Sequence, residues 1–247
     1  FGERLCGWGP DLSTALLVLG LEVRPPFGVE FDTSCDYFTV QGKAKLHSME
    51  NEPNLFWEHW TADMFMWSKD RGILAPVKAQ TAIKVKTKES PLGRPDLPKS
   101  LAARNRQSDR LLLRGLKRCS DLLKEDKFFS FEFLKDCFAF DLRATQALES
   151  SLGVFRVQFC VGCHGGTGAS WREMLTNSKV LRDKLHQDTC MCQKASKPFV
   201  SDDNEHWGCE ADFEYYSWNL CTFIGEAVMA EFEIAHPLDE AQTLYWR

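Results

Sequence analysis

Glu3-Arg4-Leu5-Cys6-Gly7-Trp8-Gly9-Pro10-Asp11-Leu12-Ser13 sets two glycines, one residue apart, directly before an apolar helical pattern. Glycine lets a chain turn tightly after a strand and lets a ligand approach the backbone. The pattern that follows predicts a helix over 12–21, with Leu12, Leu16 and Leu19 on one stripe and Asp11 or Ser13 as its cap. Its first turn would offer free N–H groups to a bound polar group. Pro25-Pro26 closes the segment, and 27–32 reads as a second strand ending in Glu30 and Asp32. A glycine turn, a helix and an acid about twenty residues on is the plan of a nucleoside site whose acid binds a ribose hydroxyl. The other reading of Glu30 and Asp32 is a pair of solvated loop acids.

The same rhythm recurs downstream. Residues 55–60 predict a buried strand, followed by Thr61-Ala62-Asp63-Met64-Phe65-Met66-Trp67-Ser68. Open α/β sheets bind ligands outside the carboxyl ends of their strands, so His59, Asp63 and Ser68 are candidates by position. Met64, Phe65, Met66 and Trp67 read as a lid or wall. Residues 69–100 are basic, rich in proline and irregular. They read as a solvated loop or as a phosphate contact. Residues 101–124 give the clearest helix, with Leu112, Leu116, Cys119 and Leu123 at helical spacing and arginines on its other faces. Residues 128–133 predict a central strand, 141–150 a short helix, 154–160 and 171–176 further strands, and 210–235 an aromatic helical region. Alternating strands and helices predict an α/β fold with a doubly wound, Rossmann-like sheet. Its core would be 1–160, with 161–247 completing or covering the sheet.

The 247 residues suffice for one large domain or two small ones. The formal net charge of −5 gives no global signal for nucleic acid and leaves room for a local basic face. No window carries the apolar run of a spanning helix, so no membrane partner is expected. The chain opens on Phe1 without a basic-then-apolar leader, and reads as a fragment or processed chain of an intracellular protein. Ten cysteines in a chain of this size need no disulfide framework. Cys160-x-x-Cys163, Cys190-x-Cys192, His206 and Cys209 offer soft ligands, and His164 competes for the same role. Because Cys190 and Cys192 are closer than usual ligand spacing, the cysteines read as core and free thiols, and zinc is not expected. The usual zinc-hydrolase, nucleophile-elbow and phosphate-loop motifs are missing.

With these pieces placed, the chain resembles the DNA cytosine-C5 methyltransferase-like proteins. It is most similar to the divergent methylase-like domains of dinoflagellate and other algal genomes. The resemblance implies an S-adenosylmethionine methyltransferase sheet. It implies cofactor contacts at Glu3, Leu5, Gly7 and Gly9, with Glu30 as the ribose-binding acid and Asp36 near the adenine. In the family's catalytic loop a proline and a nucleophilic cysteine stand where this chain has Asp63 and Met64. A thioether has no proton to lose and cannot make the thiolate adduct. Glu132-Phe133-Leu134 occupies the place of the family's glutamate-asparagine-proline motif, with only Glu132 retained. Trp171, Arg172 and Thr176 carry a further match. The resemblance therefore implies a catalytically impaired domain that retains Glu132, with Asp63 and Glu132 as the catalytic candidates where another atom is methylated, and DNA or another nucleic acid as partner. The alternatives are a structural or protein-interaction domain with a relic pocket, or a methyltransferase acting on another substrate atom.

Overall fold

The computed structural model describes residues 56–62, 67–69, 73–75, 78–165, 171–191 and 218–235. Within these, a four-stranded sheet runs in the order β1 (Trp57–Thr61), β4 (Phe128–Leu134), β6 (Trp171–Thr176), β5 (Phe155–Cys160). A two-stranded antiparallel ribbon, β2 (Ile73–Ala75) with β3 (Lys78–Ile83), stands apart from it. Four α-helices complete the described fold: α1 (Lys99–Lys124), α2 (Arg143–Glu149), α3 (Lys179–Leu185) and α4 (Trp218–Ala235).

The fold is mixed α/β. The expected parallel, doubly wound sheet is not the arrangement of the described strands. Only β1 and β4 run parallel, while β6 is antiparallel to both β4 and β5. The short connection from β5 to β6 accounts for this, because a parallel return needs a crossover of a dozen residues or more. The irregular segment expected over 69–100 contains the ribbon, which its prolines and lysines hid.

β4 is central, as its aromatic run predicts. Phe129, Phe131 and Phe133 alternate onto one face and are almost fully buried with Leu112, Leu116, Cys119 and Leu122 of α1 and Leu148 of α2. Burying each such side chain contributes roughly 1.5–3 kcal/mol. Gly115 lets α1 close on the sheet, since a Cβ there would lie 2.8 Å from Phe131 Cε1. On the opposite face Val157, Phe159 and Met174 pack with Leu181 and Leu185 of α3 and Leu220, Ile224 and Ala227 of α4. Ser178 caps α3 by accepting from the Leu181 N–H at 2.9 Å, and donates to Glu231 of α4 at 2.6 Å. Among the described residues, no helix is long and apolar enough to cross a membrane.

Candidate functional site

The parallel pairing of β1 and β4 sets Thr61 opposite Glu132, and the Ala62 N–H donates to the Glu132 carbonyl at 2.9 Å. The end of β1 and Glu132 therefore meet. Asp63 and Met64 lie outside the described residues, as do Glu3, Leu5, Gly7, Gly9, Glu30 and Asp36. Trp67, expected in a lid or wall, is core instead: its indole donates to Ser108 Oγ at 3.0 Å, and the Lys86 ammonium lies 3.6 Å from its ring centroid.

Alternation puts His59, Ser130, Glu132 and Arg172 on the face of the sheet turned to α3 and α4. Trp57 Nε1 donates to Ser130 Oγ at 3.0 Å, and Ser130 Oγ lies 2.8 Å from His59 Nδ1. If the hydroxyl donates to Nδ1, the imidazole proton sits on Nε2. That nitrogen is 3.9 Å from Glu132 Oε2, and Arg172 Nε is 3.8 Å from Oε1, both beyond hydrogen-bond range. Among the described residues, Glu132 Oε2 has no hydrogen-bond partner. Burial consequently pushes the Glu132 carboxyl up to about 7, against the pull of Arg172. Burial likewise lowers His59 to about 4. The cluster holds a neutral imidazole beside a carboxyl that exchanges its proton near neutral pH. Arg172, one of the residues that carry the resemblance, is 3 % exposed and faces inward.

A second constellation lies at the end of the edge strand β5. Cys160 is its last residue, and a 3-10 turn, Val161–His164, brings Cys163 back beside it. Gly165, at φ 87°, ends that turn in the left-handed region. The chain after α3 then runs alongside β5. The Gln187 N–H donates to the Gln158 carbonyl at 2.7 Å, and the Cys160 N–H donates to Gln187 Oε1 at 3.1 Å. This return delivers Cys190, whose sulfur lies 3.4 Å from that of Cys160 and 3.6 Å from that of Cys163. All three sulfurs lie within 4.8 Å of one another, a group that could hold a metal ion.

This overturns the expectation that zinc has no place here. Sequence spacing alone judged Cys190 by its nearness to Cys192, whereas the fold pairs it with Cys160 and Cys163. The Cys160-x-x-Cys163 knuckle was the legible half of the signal. His164, weighed as a rival ligand, is not part of the group. Its buried ring packs edge-on against Phe159 and Phe223, and burial lowers its pKa. Cys192, His206 and Cys209 lie outside the described residues.

Charge is the third local feature. Residues 84–124 carry twelve Lys and Arg against four Asp and Glu, a formal +8 within a chain of formal net charge −5. Lys99, Arg106, Arg110, Arg114 and Lys117 share one outward stripe of α1 at helical spacing, with Arg104 exposed on its flank. Lys117 pairs with Asp121 at 2.5 Å. Lys99, Arg106 and Arg110 are exposed and make no ion pair with any described residue. The first turn of α1 contains Lys99 and no acid, the reverse of what the helix dipole favours.

A scan against protein-family models finds no match to this chain, and searches of curated proteins and of solved structures find none.

Proposed function

We propose that this chain is an interaction domain that holds the phosphate backbone of duplex DNA against the exposed stripe of α1. The observation that carries the reading is the set of exposed cations Lys99, Arg106 and Arg110 on one helix, which pair with no acid among the described residues. From Lys99 to Lys117 the stripe spans about 27 Å at 1.5 Å per residue. Arginine suits phosphate through its planar fork of donors. α1 contains no aromatic residue, so it offers unpaired bases no stacking platform. The major groove of B-form DNA admits a helix, whereas the deep, narrow groove of A-form RNA does not.

The test is fluorescence anisotropy with two unrelated duplexes across a salt series. Each phosphate contact contributes about −0.9 to the slope of log affinity against log salt. Lys99→Gln/Arg106→Gln/Arg110→Gln should flatten that slope by about 3 and weaken both duplexes alike. Equal affinity and slope for this variant and the parent chain would refute the proposal.

A second reading is favoured by the meeting of the β1 end with Glu132. On this reading the domain is a cytosine-C5 methyltransferase-like relic in which Glu132 contacts a base taken out of the duplex. Glu132→Gln should then weaken binding to DNA with an unpaired cytosine more than binding to a fully paired duplex. Identical losses on the two substrates would count against it.

A further inference from the structure

We infer that Cys160, Cys163 and Cys190 bind one zinc ion as thiolates, and that the ion fastens the chain after α3 to the end of β5. The sulfur geometry is the first argument. Zinc–sulfur bonds of about 2.3 Å at tetrahedral angles put neighbouring sulfurs about 3.8 Å apart. The two sulfur–sulfur separations, 3.4 and 3.6 Å, fall close to that edge length. A disulfide would bring two sulfurs to about 2.05 Å and leave the third thiol over. Three sulfurs converging on one point is a coordination geometry.

The surroundings are the second argument. The Met191 N–H points at Cys163 Sγ at 3.3 Å, a hydrogen bond that favours sulfur carrying negative charge. Gln187 fixes the backbone N–H of Cys160, so the strand end and the returning chain are held in register before any ion arrives. Cys160 is fully buried, while Cys163 and Cys190 are partly exposed, which gives the ion an entry path. Among the described residues no His, Asp or Glu joins the group. The soft, all-sulfur donor set suits zinc over magnesium or calcium. Binding converts three thiols to thiolates and releases three protons to solvent, leaving a complex of net charge −1 before a fourth ligand is counted. A tetrahedral ion held by three sulfurs keeps one further position for water.

The fastening has a structural consequence. Among the described strands β5 lies at the sheet's edge, and the chain at residues 186 and 187 lies along its Gln158–Cys160 end. An ion at Cys160, Cys163 and Cys190 would lock that cover in place and shield the strand from pairing with another chain.

The experiment uses the full chain under reducing conditions. Metal analysis of chain purified without chelator, or reconstituted with zinc alone and desalted, should give one zinc per chain. Titrating the parent chain with a mercurial, in the presence of a chromogenic zinc indicator, should release zinc in step with thiol loss. Cys163→Ser and Cys190→Ser should each lose the bound metal, whereas Cys137→Ser should keep it. Cobalt reconstitution should give the intense visible absorption of a tetrahedral thiolate site, lost in the same variants. No zinc retained by the reconstituted, folded parent chain would overturn the inference. So would zinc release that does not track thiol modification, or a Cys163–Cys190 disulfide found by mass in the freshly purified protein.

Discussion

Replacing Glu132 with glutamine should remove one part of the protein's loss of stability with rising pH. Burial raises the Glu132 carboxyl from its ordinary 4.5 to about 7 in the folded chain. Below pH 4.5 the group is protonated in both states and contributes no pH dependence. Between 4.5 and 7 the folded chain keeps a proton that the unfolded chain has lost, so stability falls as pH rises. Above 7 the full cost is present. A difference of 2.5 between those two values corresponds to about 3 kcal/mol at about 1.36 kcal/mol per pH unit. Glutamine has nearly the same shape and no carboxylate to desolvate. Urea unfolding of Glu132→Gln and the parent chain at pH 5, 6, 7 and 8 should therefore show the variant gaining relative stability with each step, by up to about 3 kcal/mol in all. A stability difference that does not change with pH would show that Arg172 neutralises Glu132 in the folded state, and the desolvation argument would fail.

The neighbouring His59 should act in the opposite direction. Its folded pKa of about 4 lies below the ordinary 6.5, so its neutral form stabilises above 6.5 and that stability is lost as pH falls towards 4. Because 18 % of its side chain is exposed, the loss should stay below about 3 kcal/mol. His59→Gln should remove it in the same urea series, and an unchanged acid limb would refute the assignment. Gly115→Ala sets helix propensity, worth about 1 kcal/mol in favour of alanine, against overlap with Phe131 and Trp60, costing about 1–3 kcal/mol. We expect a lower melting temperature, because Phe131 is held by Phe133 at a 4.6 Å ring separation; a higher one would mean the ring yields. Arg118→Gln breaks a buried pair with Glu58 at 2.7 Å and should cost about 3–5 kcal/mol by chemical denaturation. It should leave the salt dependence of DNA binding unchanged, and a flatter slope would place Arg118 in the contact surface.

Periodicity in the sequence located most elements because it reports burial directly. Phe128-Phe129-Ser130-Phe131-Glu132-Phe133 alternates so strongly that both its strand state and its central place follow. The α1 stripe was equally clear: Leu112, Leu116 and Cys119 are buried, while Leu123 is only partly buried and Leu122 beside it is fully so. Strand direction was not legible. Nothing in the side chains of 155–160 and 171–176 states whether β5 and β6 run parallel, and connection length decides it. The site was half legible for the same reason. Cys160 and Cys163 are local neighbours and can be read from spacing. Cys190 joins them through the Gln187 contacts, which exist only once α3 has folded back on β5.

The charge on α1 gains its significance from how the helix is mounted. The inward cations are all occupied. Lys86 is buried against Asp109 and Trp67, Asp109 also accepts from Asn105 at 3.1 Å, and Arg118 is held by Glu58 and Glu125. Asn105 in turn donates to the Leu92 carbonyl at 2.7 Å, which clamps the preceding loop to the helix. Gly93 at φ 111° makes room for that clamp, since a Cβ there would lie 2.3 Å from Asn105 Nδ2. Asp109, Glu58 and Glu125 are thus spent on inward cations, and the outward Lys99, Arg106 and Arg110 pair with no acid among the described residues. A helix held this firmly loses little freedom when it meets a partner, so charge that costs stability in the free domain is recovered on binding. An array of like charges on a mobile segment would read as a solvated surface. On a helix clamped through Asn105 and Arg118, with Lys99 set against the dipole, it supports the proposed contact with an anion.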